Sequence, residues 1–424
     1  MMLKINDDVD LLSAILNMQS EEEIEEDLLT ASLHQDLDHL IQTIRQHLGM
    51  DTAFLSRFHH GYREMLHVDN SVGCTTVLHQ GHKDKNEETY CRLIADKKLP
   101  NIIPDTSKNK LTKDLAVTKV LNIGSYIGVP IYLSDDSIYG TLCCFSERAD
   151  QSLSNKDLSL LTLFAKFAAR NIEKELIVSK IQQVAREDIF DIIHKKRLNV
   201  VLQPIYDLKS KNVQGFECLS RFQTEPYHSP DYWFNKANVS GIGEALELFA
   251  IEEALNLLPD IPEQYYITLN ISPKHLTSPY LQAMLDKAPL NRIVLEVTER
   301  ECIPNYKAFR DAIQPFRERG MRLAVDDAGA GFASFQHILE LQADIIKLDR
   351  SLISNINSDY RKRALVAALI GFAKETKSNV LGEGVETLAE LEVLQELGAQ
   401  TIQGYFFCHP LPIDDVLTFC SSRA

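Results

Sequence analysis

The chain has 424 residues, 45% hydrophobic and 25% charged, with a formal net charge of -16 at pH 7. That composition is globular, the length suits two or three domains, and the negative field excludes general binding to nucleic-acid polymers or anionic membranes. The longest uncharged apolar run, Ala364 to Ala373, falls short of the ~20 residues that span a bilayer, and Met1 to Asp10 carries acids where a secretion signal is basic and apolar. A cytoplasmic protein without a membrane segment is expected. Its eight cysteines lack ligand-like spacing and are expected as reduced thiols.

Residues 1–27 contain the acidic run Glu21 to Asp27 and read as a solvated N-terminal segment. From His34, apolar residues recur at helical spacing (Leu37, Leu40, Ile41, Ile44) until Gly49. Strand signals follow at Ala53 to Phe58, then a turn-rich stretch from Pro100 to Thr106, then a run from Gly124 to Tyr132. Ser134-Asp-Asp-Ser137 predicts a hairpin into the next strand, Ile138 to Phe145. A helical pattern then runs from Asn155 to about Lys196, with Leu161, Ala165, Ala168, Ile172 and Leu176 in one stripe and Ile177, Ile181 and Val184 in a slipped one.

Ile123-Gly-Ser-Tyr-Ile-Gly-Val-Pro-Ile131, Gly140-Thr-Leu-Cys-Cys-Phe145 and the pattern from Leu153 to Leu158 resemble a GAF domain covering roughly residues 28–175. The resemblance implies an α+β sensor domain. Relatives bind cyclic nucleotides, tetrapyrroles, other small molecules or only each other, so the resemblance names no ligand. Cys91 is followed by Arg92 rather than His, which argues for a structural thiol and against a bilin attachment site. Residues 160–196 are expected as a connecting helix, and two copies are expected to pair through it and through the GAF and EAL domains.

The C-terminal half alternates apolar runs with helical stretches. The runs are Val200 to Ile205, Gly215 to Arg221, Tyr266 to Ile271, Arg292 to Glu299, Arg322 to Asp327, Asp344 to Asp349, Val380 to Glu386 and Thr401 to Phe407. Helices are expected between them, for example Tyr306 to Arg319 and Tyr360 to Thr376. This order predicts an α/β fold of the (β/α)8 barrel type. The first link, around Ser210 to Asn212, is too short for a parallel crossover, so the first two strands are expected to be antiparallel.

Nearly every run ends in a polar residue that a core strand would not choose: Glu217, Asn270, Glu296, Asp326, Asp327, Lys347, Asp349, Glu383 and Gln403. In a parallel barrel these ends converge on one face. A ring of carboxylates is costly unless cations sit within it, and oxygen ligands without His or Cys select magnesium or manganese. Asp326 and Asp327, adjacent on a strand, are expected to point to opposite sides of an extended backbone and so to serve two different ions, one each or with one bridging.

Glu217-Cys-Leu-Ser-Arg221, Asn270-Ile-Ser272, Glu296-Val-Thr-Glu299, Asp326-Asp-Ala-Gly-Ala-Gly331, Asp344-Ile-Ile-Lys-Leu-Asp349, Glu383-Gly-Val-Glu386 and Gln403-Gly-Tyr405 resemble, in order and spacing, the EAL-domain phosphodiesterases, over roughly residues 187–420. The resemblance implies a modified barrel with one antiparallel strand and the hydrolysis of cyclic di-GMP to linear pGpG. It implies two Mg2+ or Mn2+ ions per active site, one on Glu217, Asn270, Glu296 and Asp326 and the other on Asp326, Asp327 and Glu383. Lys347, Glu383 and Asp349 are implied in catalysis, and Gln203, Leu219, Arg221 and Gln403 in substrate binding. Glu299 is implied as the anchor of the loop after the Asp pair, in which Ala328, Ala330, Phe332 and Ala333 depart from the common pattern. The alternative is a cyclic di-GMP receptor or interaction module without catalysis, as arises when this fold loses its ligands.

Overall fold

The computed structural model describes residues 28–75, 78–298, 303, 305–328 and 334–421. It divides into two compact units, one ending at Ile181 and one beginning at Gln182.

In the first unit, the helix Leu28–Leu48 buries Leu37, Ile41 and Ile44, spaced so that they share one helical face. Six strands follow: β1 (Thr52–His59), β2 (Tyr62–Asn70), β3 (Lys83–Lys85), β4 (Ile102–Ile103), β5 (Ser125–Tyr132) and β6 (Ile138–Ser146). They form one antiparallel sheet in the order β3-β2-β1-β6-β5-β4. The expected hairpin joins β5 to β6, where the Asp135 carboxylate accepts the backbone N–H of Ser137 at 3.0 Å and Asp136 takes a left-handed φ of 61°. Alternation along β6 gives each sheet face its own core. Leu142 and Cys144 pack with Leu37, Ile41, Ile44 and the Leu161, Ala165, Ala168, Ile172 stripe, whereas Cys143 and Phe145 pack with Phe54, Tyr90, Cys91 and Tyr126. The helix carrying that stripe is continuous from Asn155 to His194.

The second unit is a closed barrel of β7 (Leu198–Asp207), β8 (Asn212–Phe222), β9 (Tyr266–Asn270), β10 (Ile293–Thr298), β11 (Arg322–Ala328), β12 (Ile345–Leu348), β13 (Asn379–Gly382) and β14 (Thr401–Ile402). β7 runs antiparallel to both its neighbours, β8 and β14, and every other pairing is parallel. The cause is the tight turn from β7 to β8, closed by Lys211 at φ 57° and a hydrogen bond from the Tyr206 hydroxyl to the Lys211 carbonyl at 2.5 Å. The expected helices form at Tyr306–Glu318 and Tyr360–Thr376, the latter capped by the Asp359 carboxylate.

Inside the barrel, Ile205, Tyr266, Val294, Ala324, Ile345 and Leu381 form one buried apolar layer. Two residues further along each parallel strand, hence on the same face, come Thr268, Glu296, Asp326, Lys347 and Glu383. On reversed β7 the corresponding step runs backwards, from Ile205 to Gln203. A polar layer therefore lies directly on an apolar floor.

Beyond β13 and β14 the two exits pack backbone to backbone. The Val385 N–H donates to the Gln403 carbonyl at 3.0 Å, and a Cβ at Gly404 would lie 2.2 Å from the Val385 oxygen. Gly404→Ala is expected to destabilise this unit by about 1–3 kcal/mol through overpacking. A lowered urea midpoint at unchanged slope is the readout, and an unaltered midpoint would show that the exits can separate without cost.

Candidate active site

Lys347 occupies the centre of the polar layer, with none of its side chain exposed. Its ammonium lies 2.7 Å from Glu296 Oε2, 2.8 Å from Glu383 Oε1, 3.1 Å from Glu217 Oε1 and 3.2 Å from Asp326 Oδ1. Four carboxylates thus face one cation. Burial works against the charge on Lys347, but Asp326, Glu217, Glu296 and Glu383 outweigh it and hold the ammonium well above its ordinary value. The carboxylates divide. Burial, with the charges of Glu217 and Asp326, pushes Glu296 up to about 8 despite Lys347, and burial with Asp326 and Glu217 likewise raises Glu383 well above the usual range. Burial would also raise Glu217, but the Lys347 charge and hydrogen bonds from Gln403, Lys347 and Asn270 hold it lower.

These shifts describe a site short of positive charge. The deficit has an atomic signature: Glu296 Oε1 is buried without a hydrogen-bond partner. Carboxylate oxygens gather in two groups, Glu217, Glu296 and Asp326 in one and Asp326, Asp327 and Glu383 in the other, each within 4.8 Å. Hard oxygens, two clusters sharing Asp326 and an orphaned acceptor fit a pair of divalent cations such as magnesium or manganese.

The backbone corrects one expectation. Asp326 and Asp327 do not alternate across an extended strand, because Asp327 takes a left-handed φ of 56° and the pairing with β12 slips between Val325 and Ala328. The slip brings both carboxylates into the same oxygen cluster, so adjacency in sequence becomes convergence in space.

The remaining candidates fall into distinct settings. Asn270 ends β9, is exposed, and lies beside Glu217. Gln403 and Gln203 are 4% and 8% exposed. Gln403 Nε2 donates to Glu217 Oε2 at 2.5 Å and to Gln203 Oε1 at 3.0 Å, and Gln203 donates to the Cys408 carbonyl at 3.4 Å. The two amides therefore brace Glu217 from behind. Leu219 and Arg221 line a cleft of about 420 Å³ with Asn270, Asp326 and Asp327. A second hollow of about 240 Å³, lined by Glu217, Asp326, Arg350, Glu383 and Tyr405, shares Asp326 with the first. Asp349 caps the short helix Arg350–Ile353, accepting the Ser351 N–H at 2.9 Å. Glu299 and the loop residues 329–333 lie outside the described residues.

One residue escaped sequence reasoning. Glu247, on the helix Gly243–Leu257, is buried beside the larger cleft. It accepts the Ser272 N–H at 3.1 Å and meets His275 Nδ1 at 2.7 Å, and so holds the segment that follows Asn270. A lone acid in the apolar stretch Leu246 to Ile251 was the available signal.

Comparison with known proteins agrees with this geometry. The EAL domain model matches residues 185–410 and the GAF domain model residues 32–172. The cyclic di-GMP phosphodiesterase NbdA of Pseudomonas aeruginosa is 26% identical over 331 residues, covering 74% of this chain and 41% of its own. The probable cyclic di-GMP phosphodiesterase PdeB of Escherichia coli is 31% identical over 244 residues, covering 55% of this chain and 46% of its own. The chain spans less than half the length of these curated relatives. A solved EAL domain protein from Listeria monocytogenes shares the fold at a TM-score of 0.51 and 24% identity, covering 56% of this chain and 97% of that one. Among the described residues no helix is long and apolar enough to cross a membrane. With a family match over more than half its length and a closed barrel bearing the carboxylate ring, the chain belongs to the EAL domain family and carries a GAF domain ahead of its EAL domain.

Proposed function

We propose that this protein is a metal-dependent phosphodiesterase that opens cyclic di-GMP to linear pGpG under the control of its GAF domain. The observation that carries the reading is the preassembled oxygen set, two clusters that share Asp326 around a buried ammonium. Glu217, Asn270, Glu296 and Asp326 would hold one divalent cation, and Asp326, Asp327 and Glu383 the other. When bound, such a pair supplies Lewis-acid polarisation of the phosphodiester and lowers the pKa of the attacking water.

The chain supplies the rest. Lys347, fixed by four carboxylates, orients the attacking water and offsets negative charge that develops on the phosphate. Asp349, just past the end of β12, is assigned to take up and pass on the proton, and Glu383 to position the water beside the cation it would hold. Arg221 grips a phosphate oxygen through its forked donors, and Leu219 packs against the nucleotide in the larger cleft. Gln203 and Gln403 keep Glu217 aimed. The sensor is assigned to residues 28–175, the connecting helix to 160–196 and the hydrolase to 187–420. Exposed Leu163, Phe167, Ile177, Ile181 and Val184 on the helix support homodimer pairing along it. A cytoplasmic location and a small-molecule ligand for the GAF domain rest on the resemblance alone.

Purified protein incubated with cyclic di-GMP and magnesium or manganese should yield pGpG by chromatography, with none in a chelated control. Calcium should inhibit, because its larger and looser shell fits the oxygen clusters poorly. Bound but uncleaved nucleotide under all three metals would instead favour a receptor or an autoinhibited state. Glu217→Ala or Asp326→Ala should lower turnover on the order of 100- to 1,000-fold, the scale of losing one electrostatic stabiliser, and a normal rate in either would sink the two-cation assignment. Gln403→Ala should weaken manganese binding about 10- to 100-fold by freeing Glu217, and calorimetry giving wild-type affinity would remove the bracing role.

A further inference from the structure

The second face of the GAF sheet holds an arrangement that phosphodiester hydrolysis does not use. Arg63, on β2, is 2% exposed, and its Nη1 donates to Cys91 Sγ at 3.2 Å. Its Nη2 pairs with Asp84, and its Nε is buried without a partner. Cys143 Sγ, from β6, lies 3.8 Å from Cys91 Sγ, and the Tyr126 hydroxyl lies 3.4 Å from the same sulfur. Gly128 on the neighbouring strand makes the slot, since a Cβ there would sit 2.8 Å from Cys143 Sγ.

A buried guanidinium is normally satisfied by carboxylates or carbonyls. Spending one of its donors on a neutral thiol while leaving Nε unpaired is a poor use of the charge, and it becomes a favourable one when that sulfur is a thiolate. Burial opposes ionisation of Cys91, but the hydrogen bond to Cys143 and the charge of Arg63 overcome it and hold Cys91 well below its ordinary value. Burial and the neighbouring Cys91 push Cys143 the other way. Geometry separates the two sulfurs: the Arg63 guanidinium donates to Cys91, which makes it the candidate nucleophile, and Cys143 lies at contact distance as the candidate resolving thiol.

We infer that Cys91 and Cys143 form a peroxide-responsive dithiol in the GAF domain, with Arg63 as the group that activates Cys91. In the first step the Cys91 thiolate attacks one oxygen of a hydroperoxide. An S–O bond forms, the O–O bond breaks, and the leaving alkoxide or hydroxide takes a proton from water, leaving a sulfenic acid. In the second step Cys143 attacks the Cys91 sulfur. The S–S bond forms, the S–O bond breaks, and water leaves with the Cys143 proton. Two thiols are oxidised and one hydroperoxide is reduced. Both sulfurs are fully buried, so oxidation requires local opening of this sheet face. The product deprives Arg63 of its sulfur anion and pins the helix Tyr90–Ala95 to the middle of the sheet, so the redox state is written into the packing of this face.

The test uses the full chain, treated with hydrogen peroxide, alkylated under unfolding conditions and mapped without reduction. A Cys91–Cys143 linked peptide, two hydrogens lighter and restored by dithiothreitol, is expected, while Cys144 on the opposite face stays alkylatable. In Cys143→Ser, dimedone should trap a sulfenic acid on Cys91, and in Cys91→Ser, Cys143 should remain unmodified. Arg63→Gln should slow Cys91 oxidation about tenfold or more through loss of thiolate. Persistence of both thiols under conditions that oxidise Cys74, or a sulfenic acid on Cys143 in place of Cys91, would overturn the inference. None of these readouts depends on cyclic di-GMP hydrolysis.

Discussion

The structure of the barrel turns on one ammonium held among four carboxylates in its interior. Two like charges about 4 Å apart repel by about 4 kcal/mol at an effective dielectric constant of 20, and taking each out of water adds a desolvation cost. One Lys347 offsets part of this and leaves the rest standing, as the raised proton affinities of Glu296 and Glu383 record. A chain tolerates such a cluster only if the surrounding fold over-determines it. Here the fold does so through a closed barrel, an apolar floor of six side chains beneath the acids, and amide braces behind Glu217. That unresolved charge is what the proposed divalent cations would offset.

Reversal of β7 is part of the same design. A parallel first strand would present its C-terminal end to the active face; the reversed strand presents its interior Gln203 from the opposite chain direction. A neutral amide beside Gln403 and Glu217 adds hydrogen bonds without adding charge to an overcharged layer. The short turn at Lys211 thus shapes the electrostatics of the site some distance away.

The GAF sheet solves a different problem with the same alternation. One face is dry and aliphatic, where helices cover Leu142 and Cys144. The other mixes aromatic rings with Arg63, Cys91 and Cys143, and the buried Arg63 guanidinium is shared between a carboxylate and a sulfur. Cys143 and Cys144 are neighbours in sequence and belong to separate cores.

The order of elements, the barrel class, the reversed first strand and the GAF resemblance were legible in the sequence, because they depend on local periodicity and on link length. Polar residues ending apolar runs marked the acids that the structure brings together, since a buried strand has no other reason to end in Glu296 or Asp326. Tertiary structure alone decided three things. Asp326 and Asp327 converge because Asp327 adopts a left-handed backbone, which strand periodicity cannot foresee. Glu247 reaches Ser272 and His275 across 25 and 28 residues, a contact no local pattern encodes. Cys91 reads as an ordinary buried thiol until the fold sets it between Arg63 and Cys143. In each case the deciding quantity is a distance between side chains far apart in the chain or a single backbone dihedral, and neither is carried by composition or spacing.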